Sequence, residues 1–499
     1  MSDDFTQLVD LASERIGGSV VAANDEFFAP KENLLKRAKP VFMEDKYTDR
    51  GKWMDGWETR RRRTPGHDWC IVELGAPGIL RGVIVDTSFF RGNFPEACSI
   101  ESCAIDGSPD ADNLLAPEVH WNEVLSRSSL NGNSQNSFAI DYPYRCTHLR
   151  LHIYPDGGVA RLRAFGEVLP DWQKILGQQK VVDLAAIEHG GQIVDCSDKF
   201  FSAPQNLLMP DKSSHMGDGW ETRRRRGPGY DWVIIKMGIA GKIEEIEVDT
   251  THFKGNFPES CSLEVTHVSA DGDLSSASWK ELLARTALEA DSVRAFKVPA
   301  GGQATHVRFN MYPDGGVARL RIRGTPTVEG KRSAGLRWLN SLPEGAAINL
   351  LKNCCGSAKW SEQMLRQRPF SSFEKILQEA ARACEQLSEK DWLEAFSSHP
   401  KIGEQKAVAD KQAERWSQQE QSAASGAPAK IVLALSEANQ VYYSRFGYIF
   451  IVSATGKTAE QMLALLQERT KNNPKAELEI AAHEQRKITQ LRLEKMLSL

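Results

Sequence analysis

No apolar run in this 499-residue chain approaches the roughly 20 residues that a membrane-spanning helix needs. The opening Met-Ser-Asp-Asp has no basic and then apolar leader, and the closing Leu-Ser-Leu is not a peroxisomal Ser-Lys-Leu. The nine cysteines are scattered and odd in number, and they form neither a Cys-x-x-Cys pair nor a Cys/His ligand set. That pattern excludes a disulfide framework and predicts free thiols in a reducing compartment. A helical His-x-x-x-His pair is also missing, so the sequence offers no metal site. Net charge is only −4, which gives no global electrostatic reason for a nucleic-acid or membrane partner. The expectation is a cytoplasmic, soluble protein of about three domains. Its 41% hydrophobic and 26% charged residues are ordinary for globular chains, so each domain can bury a core.

What the chain does have is a duplication. The nine residues at 55–63, Asp-Gly-Trp-Glu-Thr-Arg-Arg-Arg-Arg, recur unchanged at 218–226. Gly-Asn-Phe-Pro-Glu follows at 92–96 and 255–259, then Tyr-Pro-Asp-Gly-Gly-Val-Ala-Arg-Leu-Arg at 154–163 and 312–321. The period is several times longer than a solenoid unit of roughly 20–50 residues, so whole domains are repeated in tandem. We expect domains at 1–170, 171–330 and 335–499.

Within each copy, short runs rich in β-branched and aromatic residues predominate, at 69–74, 82–86 and 148–153 and again at 232–236, 243–248 and 306–311. Gly, Pro, Asn and Asp punctuate them, which predicts two all-β sandwiches. From about residue 335 apolar residues recur at helical spacing, as in Phe373, Ile376, Leu377, Ala380 and Ala381. Thr458 is placed to cap one helix, and Asn472-Asn-Pro474 to end one and start the next, so the third domain is all-α.

The repeated Trp-Glu-Thr-Arg block carries the first chemical signal. A four-arginine run is usually a solvated face, but here it lies between Gly-Trp-Glu and a Pro-Gly turn in both copies. In an extended segment Arg60 with Arg62, or Arg61 with Arg63, would point into a pocket. Guanidinium groups hold carboxylates and ureido oxygens bidentately, which suits a small polar substrate. The second signal is Asp86-Thr-x-x-Phe-x-Gly-Asn-Phe-Pro, repeated from Asp249. It reads either as a structural loop or as Asp86, Thr87 and Asn93, with Asp249, Thr250 and Asn256, set beside a ligand. His148 and His306 persist between copies and read as satisfied structural histidines; Cys98 and Cys261 read as buried small hydrophobes. Residues that differ, His67 against Tyr230 and Phe89 against His252, are poor candidates for a site used symmetrically.

With these paired motifs, residues from about 5 to 328 resemble the allantoicases, including their two-repeat layout. The resemblance implies two jelly-roll sandwiches and hydrolysis of allantoate to ureidoglycolate and urea. Candidate site residues are Trp57, Glu58, Arg60, Arg62, Asp86 and Asn93, with Trp220, Glu221, Arg223, Arg225, Asp249 and Asn256 in the second copy. Glu58 and Glu221 are the candidate bases, and a divalent metal is left open for this part.

In the helical region, Ser398-His-Pro-Lys-Ile-Gly-Glu404 alone reads as a helix-ending turn. Its company is Trp416 to Gln421, Phe446 to Gly456 and Ile480 to Lys495, and together they resemble OHCU decarboxylase, the 2-oxo-4-hydroxy-4-carboxy-5-ureidoimidazoline decarboxylase of urate breakdown. This resemblance implies His399 as proton donor with Glu420 facing the reacting centre. It further implies Pro400, Ser417, Gln418, Gln419 and Gln421 as substrate contacts, and Phe450, Ile451, Val452, Ser453 and Ala454 as a segment offering backbone groups. No cofactor is implied, since the substrate's own C=N takes the electrons, and an imidazole titrating near neutrality would carry the proton to give (S)-allantoin. The expected partners are the small-molecule substrates, with no nucleic acid, no membrane and a homo-oligomer left open. The alternative is a tandem sandwich that binds polar ligands or carbohydrate, fused to a decarboxylase.

Overall fold

The computed structural model describes residues 4–498 except 108, 270–271, 300–301 and 400–428, and it divides into two compact units, 1–331 and 332–499. The first unit holds both copies of the repeat. Runs 69–74 and 82–86 are not separate strands but one, Asp68–Asp86, and their counterparts form Asp231–Asp249. Gly75 and Gly78 lie between the two expected runs, yet the strand passes through them. They are glycine for closeness, because a Cβ would sit 2.5 Å from the Gly18 nitrogen at Gly75 and 2.4 Å from the Glu167 carbonyl oxygen at Gly78. The long strand thereby serves both halves of the domain. Residues 68–73 pair with Arg145–Tyr154, and residues 78–86 pair with Arg161–Val168.

The strand order is Val9–Asp10, Arg161–Val168, Asp68–Asp86, Arg145–Tyr154, Ala97–Cys103, Asn122–Ser129, and Ser19–Ala23 and Gln135–Ala139 add to the long strand. The second copy repeats this order strand for strand, and these pairings are antiparallel. Alternate residues fill each interior, with Ile71, Val83, Leu149, Leu151 and Leu162 at zero exposure. Each such burial is worth about 1.5–3 kcal/mol. Between the copies, Arg15 donates to both carboxylate oxygens of Asp211 (2.9 and 3.1 Å) and to Asn206 (3.0 Å), and Arg37 pairs with Asp218. The contact is not reciprocated: Asp55, the counterpart of Asp218, is held by Arg161 of its own repeat at 2.7 Å.

The second unit is helical, and its first helix, Val328–Ser341, begins earlier than the sequence pattern indicated. Glu344–Cys355, Ala358–Arg366, Phe373–Glu385, Glu389–Ser397, Ala429–Phe446, Ala459–Arg469 and Pro474–Leu497 follow. Their starts are chemically marked: Ser357, Ser372 and Ser388 accept from backbone N–H groups, Thr458 forms a capping box with Gln461, and Asn473 caps a helix with Pro474 in its first turn. Trp360, Phe396, Tyr442 and Leu493 are fully buried at the centre. Among the described residues no helix is long and apolar enough to cross a membrane.

Candidate active sites

Trp57–Glu58 is a two-residue strand paired with Gly158–Val159, so the Trp-Glu-Thr-Arg and Tyr-Pro-Asp-Gly-Gly blocks meet edge to edge. Adjacent strand residues face opposite ways. Trp57 turns inward, fully buried, and its Nε1 donates to the Asp25 carbonyl at 2.8 Å, so it anchors the segment. Glu58 turns the other way and accepts from Asn93 Nδ2 at 2.7 Å. Only 9% exposed, it has its pKa raised by burial, against the Asn93 bond that lowers it. A cavity of about 410 Å³ opens on this pair. Phe28, Phe42, Met54 and Phe89 form its apolar walls, and Lys52 and Arg91 bring two cations to it. In the second copy Trp220 donates to the Asp198 carbonyl at 2.9 Å and Asn256 Nδ2 donates to Glu221 at 2.6 Å.

The Asp-Thr motif builds the loop that carries Asn93. Asp86 Oδ1 accepts from the Ser88 N–H at 2.8 Å, and Thr87 Oγ1 donates to the Asn131 carbonyl at 2.5 Å. Phe89 adopts φ 71°, a left-handed conformation costly for a bulky residue, and its N–H is held by Asn133 Oδ1 at 2.8 Å. Asp249 and Thr250 do the same for Asn256, accepting from Thr251 N–H at 2.7 Å and donating to the Glu289 carbonyl at 2.6 Å. Neither Asp86 nor Thr87 lines the cavity.

Nor do the arginines of the repeated four-arginine run. Arg60 donates through its backbone N–H and Nε to Asp25 at 2.9 and 2.7 Å, and its guanidinium lies 5.2 Å from the Phe27 ring. Arg62 donates from its backbone to Asp156 (2.8 Å) and from Nη1 to buried Asp68 (2.6 Å). Arg223 holds Asp198 at 2.8 Å, and Arg225 holds Asp231 and, through its N–H, Asp314 at 2.8 Å. These side chains therefore clamp the segment to the sandwich instead of facing the cavity, because buried or loop carboxylates lie within their reach.

The structure thus brings together Glu58 and Asn93 of the expected set, and it adds Lys52 and Arg91, which sequence reasoning missed. Phe89, set aside because its counterpart is His252, is a wall of the cavity. Of the two shared histidines, His148 bonds through Nδ1 to Thr147 Oγ1 at 2.8 Å, but its buried Nε2 has no partner among the described residues. It is not fully satisfied, and burial lowers its pKa to about 4; His306 is lowered to about 4 as well. Cys98 and Cys261 are buried, and burial alone pushes each thiol up to about 12, which leaves them inert. Among the described residues no cluster of three or more His, Cys, Asp or Glu is arranged to hold a metal ion.

In the helical unit His399 follows the helix Glu389–Ser397 and packs on Pro474–Leu497. His399 Nε2 lies 2.7 Å from Gln485 Oε1, whose amide nitrogen donates to the Cys355 carbonyl at 3.2 Å. An amide oxygen only accepts, so the ring proton sits on Nε2, and Nδ1 accepts from Arg492 Nη2 at 3.4 Å. Gln485, Thr489 and Arg492 share one helix face at spacings of four and three, and are 0%, 2% and 5% exposed. A buried polar stripe at that spacing was the signal available in the sequence. Burial, then Arg492, lowers the His399 pKa to about 3, so the resting ring is neutral and does not titrate near neutrality as expected.

Phe450, Ile451 and Val452 are buried, and side chains hold the segment. Arg469 Nη1 donates to the Ile451 carbonyl at 2.9 Å, the Ser453 N–H donates to Glu484 at 2.8 Å, and Lys457 Nζ donates to the Ser453 carbonyl at 2.7 Å. The Ala454 carbonyl accepts from the Lys457 N–H at 3.1 Å. Pro400, Ser417, Gln418, Gln419, Glu420 and Gln421 lie outside the described residues.

A family model described as the allantoicase repeat matches residues 9–169 and 182–327, and one described as OHCU decarboxylase matches 340–494. A probable allantoicase of Photobacterium profundum is 46% identical over 327 residues, 64% of this chain and 97% of the relative. The crystal structure of allantoicase from Saccharomyces cerevisiae is 34% identical, covers 63% of this chain and 92% of its own, and has a TM-score of 0.53. An OHCU decarboxylase crystallised in the presence of (S)-allantoin is 39% identical over 30% of this chain and 96% of its own, with a TM-score of 0.26. The chain therefore belongs to the allantoicase family and carries an OHCU decarboxylase domain after its second repeat.

Proposed function

We propose that this chain is a bifunctional enzyme of purine breakdown, with domains at 1–170, 171–330 and 335–499. One part hydrolyses allantoate to (S)-ureidoglycolate and urea; the other decarboxylates OHCU to (S)-allantoin. Two sites with different chemistry support this reading, and neither has the other's groups.

For the hydrolase, the observation that carries the reading is the buried Glu58 with a raised pKa, bonded to Asn93 in a polar-edged cavity. A carboxyl whose pKa is raised by burial holds its proton more tightly than a free one and can serve as acid and then as base. Glu58 gives its proton to one ureido nitrogen as the carbon–nitrogen bond breaks and urea leaves. Water then adds to the carbon, and the carboxylate takes back a proton. Asn93 orients Glu58 and limits the rise of its pKa. A ligand-binding sandwich would need no buried acid, so the binding-module alternative is not favoured. Urea release from allantoate by the full chain tests the reading, and Glu58→Gln should abolish it. A Glu58→Gln protein that releases urea at the parental rate sinks Glu58 as the acid.

For the decarboxylase, His399 held between Gln485 and Arg492 supports the role of proton carrier. Carbon dioxide leaves as the ring C=N accepts the electron pair, and one face of the resulting carbanion is protonated. The neutral ring takes the proton of the substrate hydroxyl at Nδ1, where the hydroxyl displaces the 3.4 Å contact with Arg492, and as imidazolium it returns a proton to the carbanion. His399→Asn should abolish enzymatic OHCU decay with the fold intact; (S)-allantoin formed at the parental rate would refute the assignment. This step needs no cofactor. Chelation followed by metal readdition tests the hydrolase, where a loss of urea release restored by one divalent ion would assign it a metal. Nine cysteines outside any disulfide support a cytoplasmic location, and small-molecule substrates are the partners this chemistry requires.

A further inference from the structure

The two copies share the Glu–Asn pair but not its surroundings. Asn33 and Asn206 are equivalent, each donating to the carbonyl of the Gly before the Trp, at 2.8 Å to Gly56 and 2.9 Å to Gly219. From there the first repeat takes 22 residues to reach Asp55, while the second takes 12 to reach Asp218. The longer segment contains the hairpin Tyr47–Thr48 with Gly51–Lys52 and supplies Phe42, Lys52 and Met54 to the cavity. Phe42 stacks on Phe89 with ring centres 5.7 Å apart, which ties the hairpin to the loop carrying Arg91 and Asn93. Lys52 Nζ is held by the Glu44 carbonyl and lies 4.9 Å from the Phe42 ring and 5.0 Å from the Tyr47 ring. Arg91 lines the same cavity and makes no ion pair among the described residues.

The second copy lacks this arrangement. Phe201, the counterpart of the wall residue Phe28, is 60% exposed. His252, in place of Phe89, bonds to the Ser213 carbonyl at 2.9 Å. At the equivalent positions stand Lys254, 3.9 Å from Asp291, and in place of Lys52 a histidine, His215, 3.9 Å from Asp218.

We propose that Lys52 and Arg91 form a clamp for the carboxylate of the substrate, and that only the first repeat has it, so each chain carries one competent hydrolase site. This rests on the allantoate-hydrolase reading. The substrate is an anion that must enter a cavity with apolar walls, and two cations there offset the cost of desolvating its carboxylate while leaving Asn93 and Glu58 for the ureido groups. The shared Glu221–Asn256 pair then keeps its role in the fold of the second repeat without a substrate to act on.

The test is steady-state urea release by the full chain, with allantoate binding followed by calorimetry. Lys52→Ala and Arg91→Ala should each raise KM roughly 10- to 100-fold, the loss of one charge-assisted bond, with kcat changed only a few-fold. Lys254→Ala and His215→Ala should keep parental values. Glu58→Gln should bind one allantoate per chain. Unchanged KM in Lys52→Ala and Arg91→Ala, an equal rise in Lys254→Ala, or two allantoates per chain would overturn the clamp. A parental chain that releases no urea would overturn the underlying hydrolase reading instead. Calorimetry on Lys52→Ala and Arg91→Ala would then still decide whether the clamp binds the anion.

Discussion

Glu477 has zero exposure in the helical unit, and its carboxylate accepts from Tyr442 Oη (2.5 Å), Arg469 Nε (2.8 Å), Arg469 Nη2 (2.6 Å) and Asn472 Nδ2 (2.7 Å). Arg469 passes the interaction on, donating to the Ile451 carbonyl at 2.9 Å with its guanidinium 4.6 Å from the Phe450 ring. Burial and then Glu477 push the Tyr442 hydroxyl far above its usual range, so it stays a donor at every working pH. Glu477→Gln keeps the volume, removes the charge and leaves Arg469, 8% exposed, without a counter-ion. Breaking a buried pair from one side costs about 3–5 kcal/mol. For a unit of this size that lowers the transition temperature by about 6–20 °C, since each kcal/mol moves it about 2–4 °C. Calorimetry of the full chain is the assay, with the sandwich unit as internal reference. Replacing both partners, Glu477→Leu with Arg469→Met, should recover most of the loss because no unpaired charge remains. It should not restore OHCU turnover, because the Ile451 carbonyl has lost its donor and the 450–454 segment its position. A Glu477→Gln protein within about 1 kcal/mol of the parent would refute the energetic argument. A double variant with parental decarboxylation would refute the positioning argument.

Glu58→Gln should also make the sandwich unit more heat-stable at pH 8 than the parent, and no more stable at pH 4. The folded pKa of Glu58 is raised, so its stabilising contribution is full below the unfolded value and lost as pH rises through the folded value, whereas Gln never ionises. Thermal melts at the two pH values check this, and an equal effect at both would contradict it. For His399 the sign is opposite: its pKa falls from 6.5 to about 3 on folding, so its contribution is present above 6.5 and lost as pH falls toward 3. Decarboxylation by the free enzyme should therefore show no ionisation near 6.5 in kcat/KM, and a half-maximal point there would mean that the ring is not held as described.

Comparing two copies of one domain isolates what both copies need, and what both need is mostly scaffold. The nine-residue identity from Asp55 to Arg63 comes apart into a buried anchor at Trp57, carboxylate clamps at Arg60 and Arg62, and Asp55 on Arg161. Alternation along a strand could say that Arg60 and Arg62 share a side, but not that Asp25, 35 residues earlier, and Asp68 would be waiting there. Helix starts were readable at Thr458 and Pro474 because a cap is a local event, settled within four residues. The join of 69–74 to 82–86 was not, because Gly75 and Gly78 answer to the distant backbones of Gly18 and Glu167. The same reasoning turns the weak candidates into the informative ones. A group that only one copy possesses, such as Phe89, Lys52 or the hairpin at 47–52, cannot be required by the fold that both copies share. Where such groups line a cavity around a buried acid, the difference between the repeats is the best marker of where chemistry is done, and their common residues mark how the acid is held.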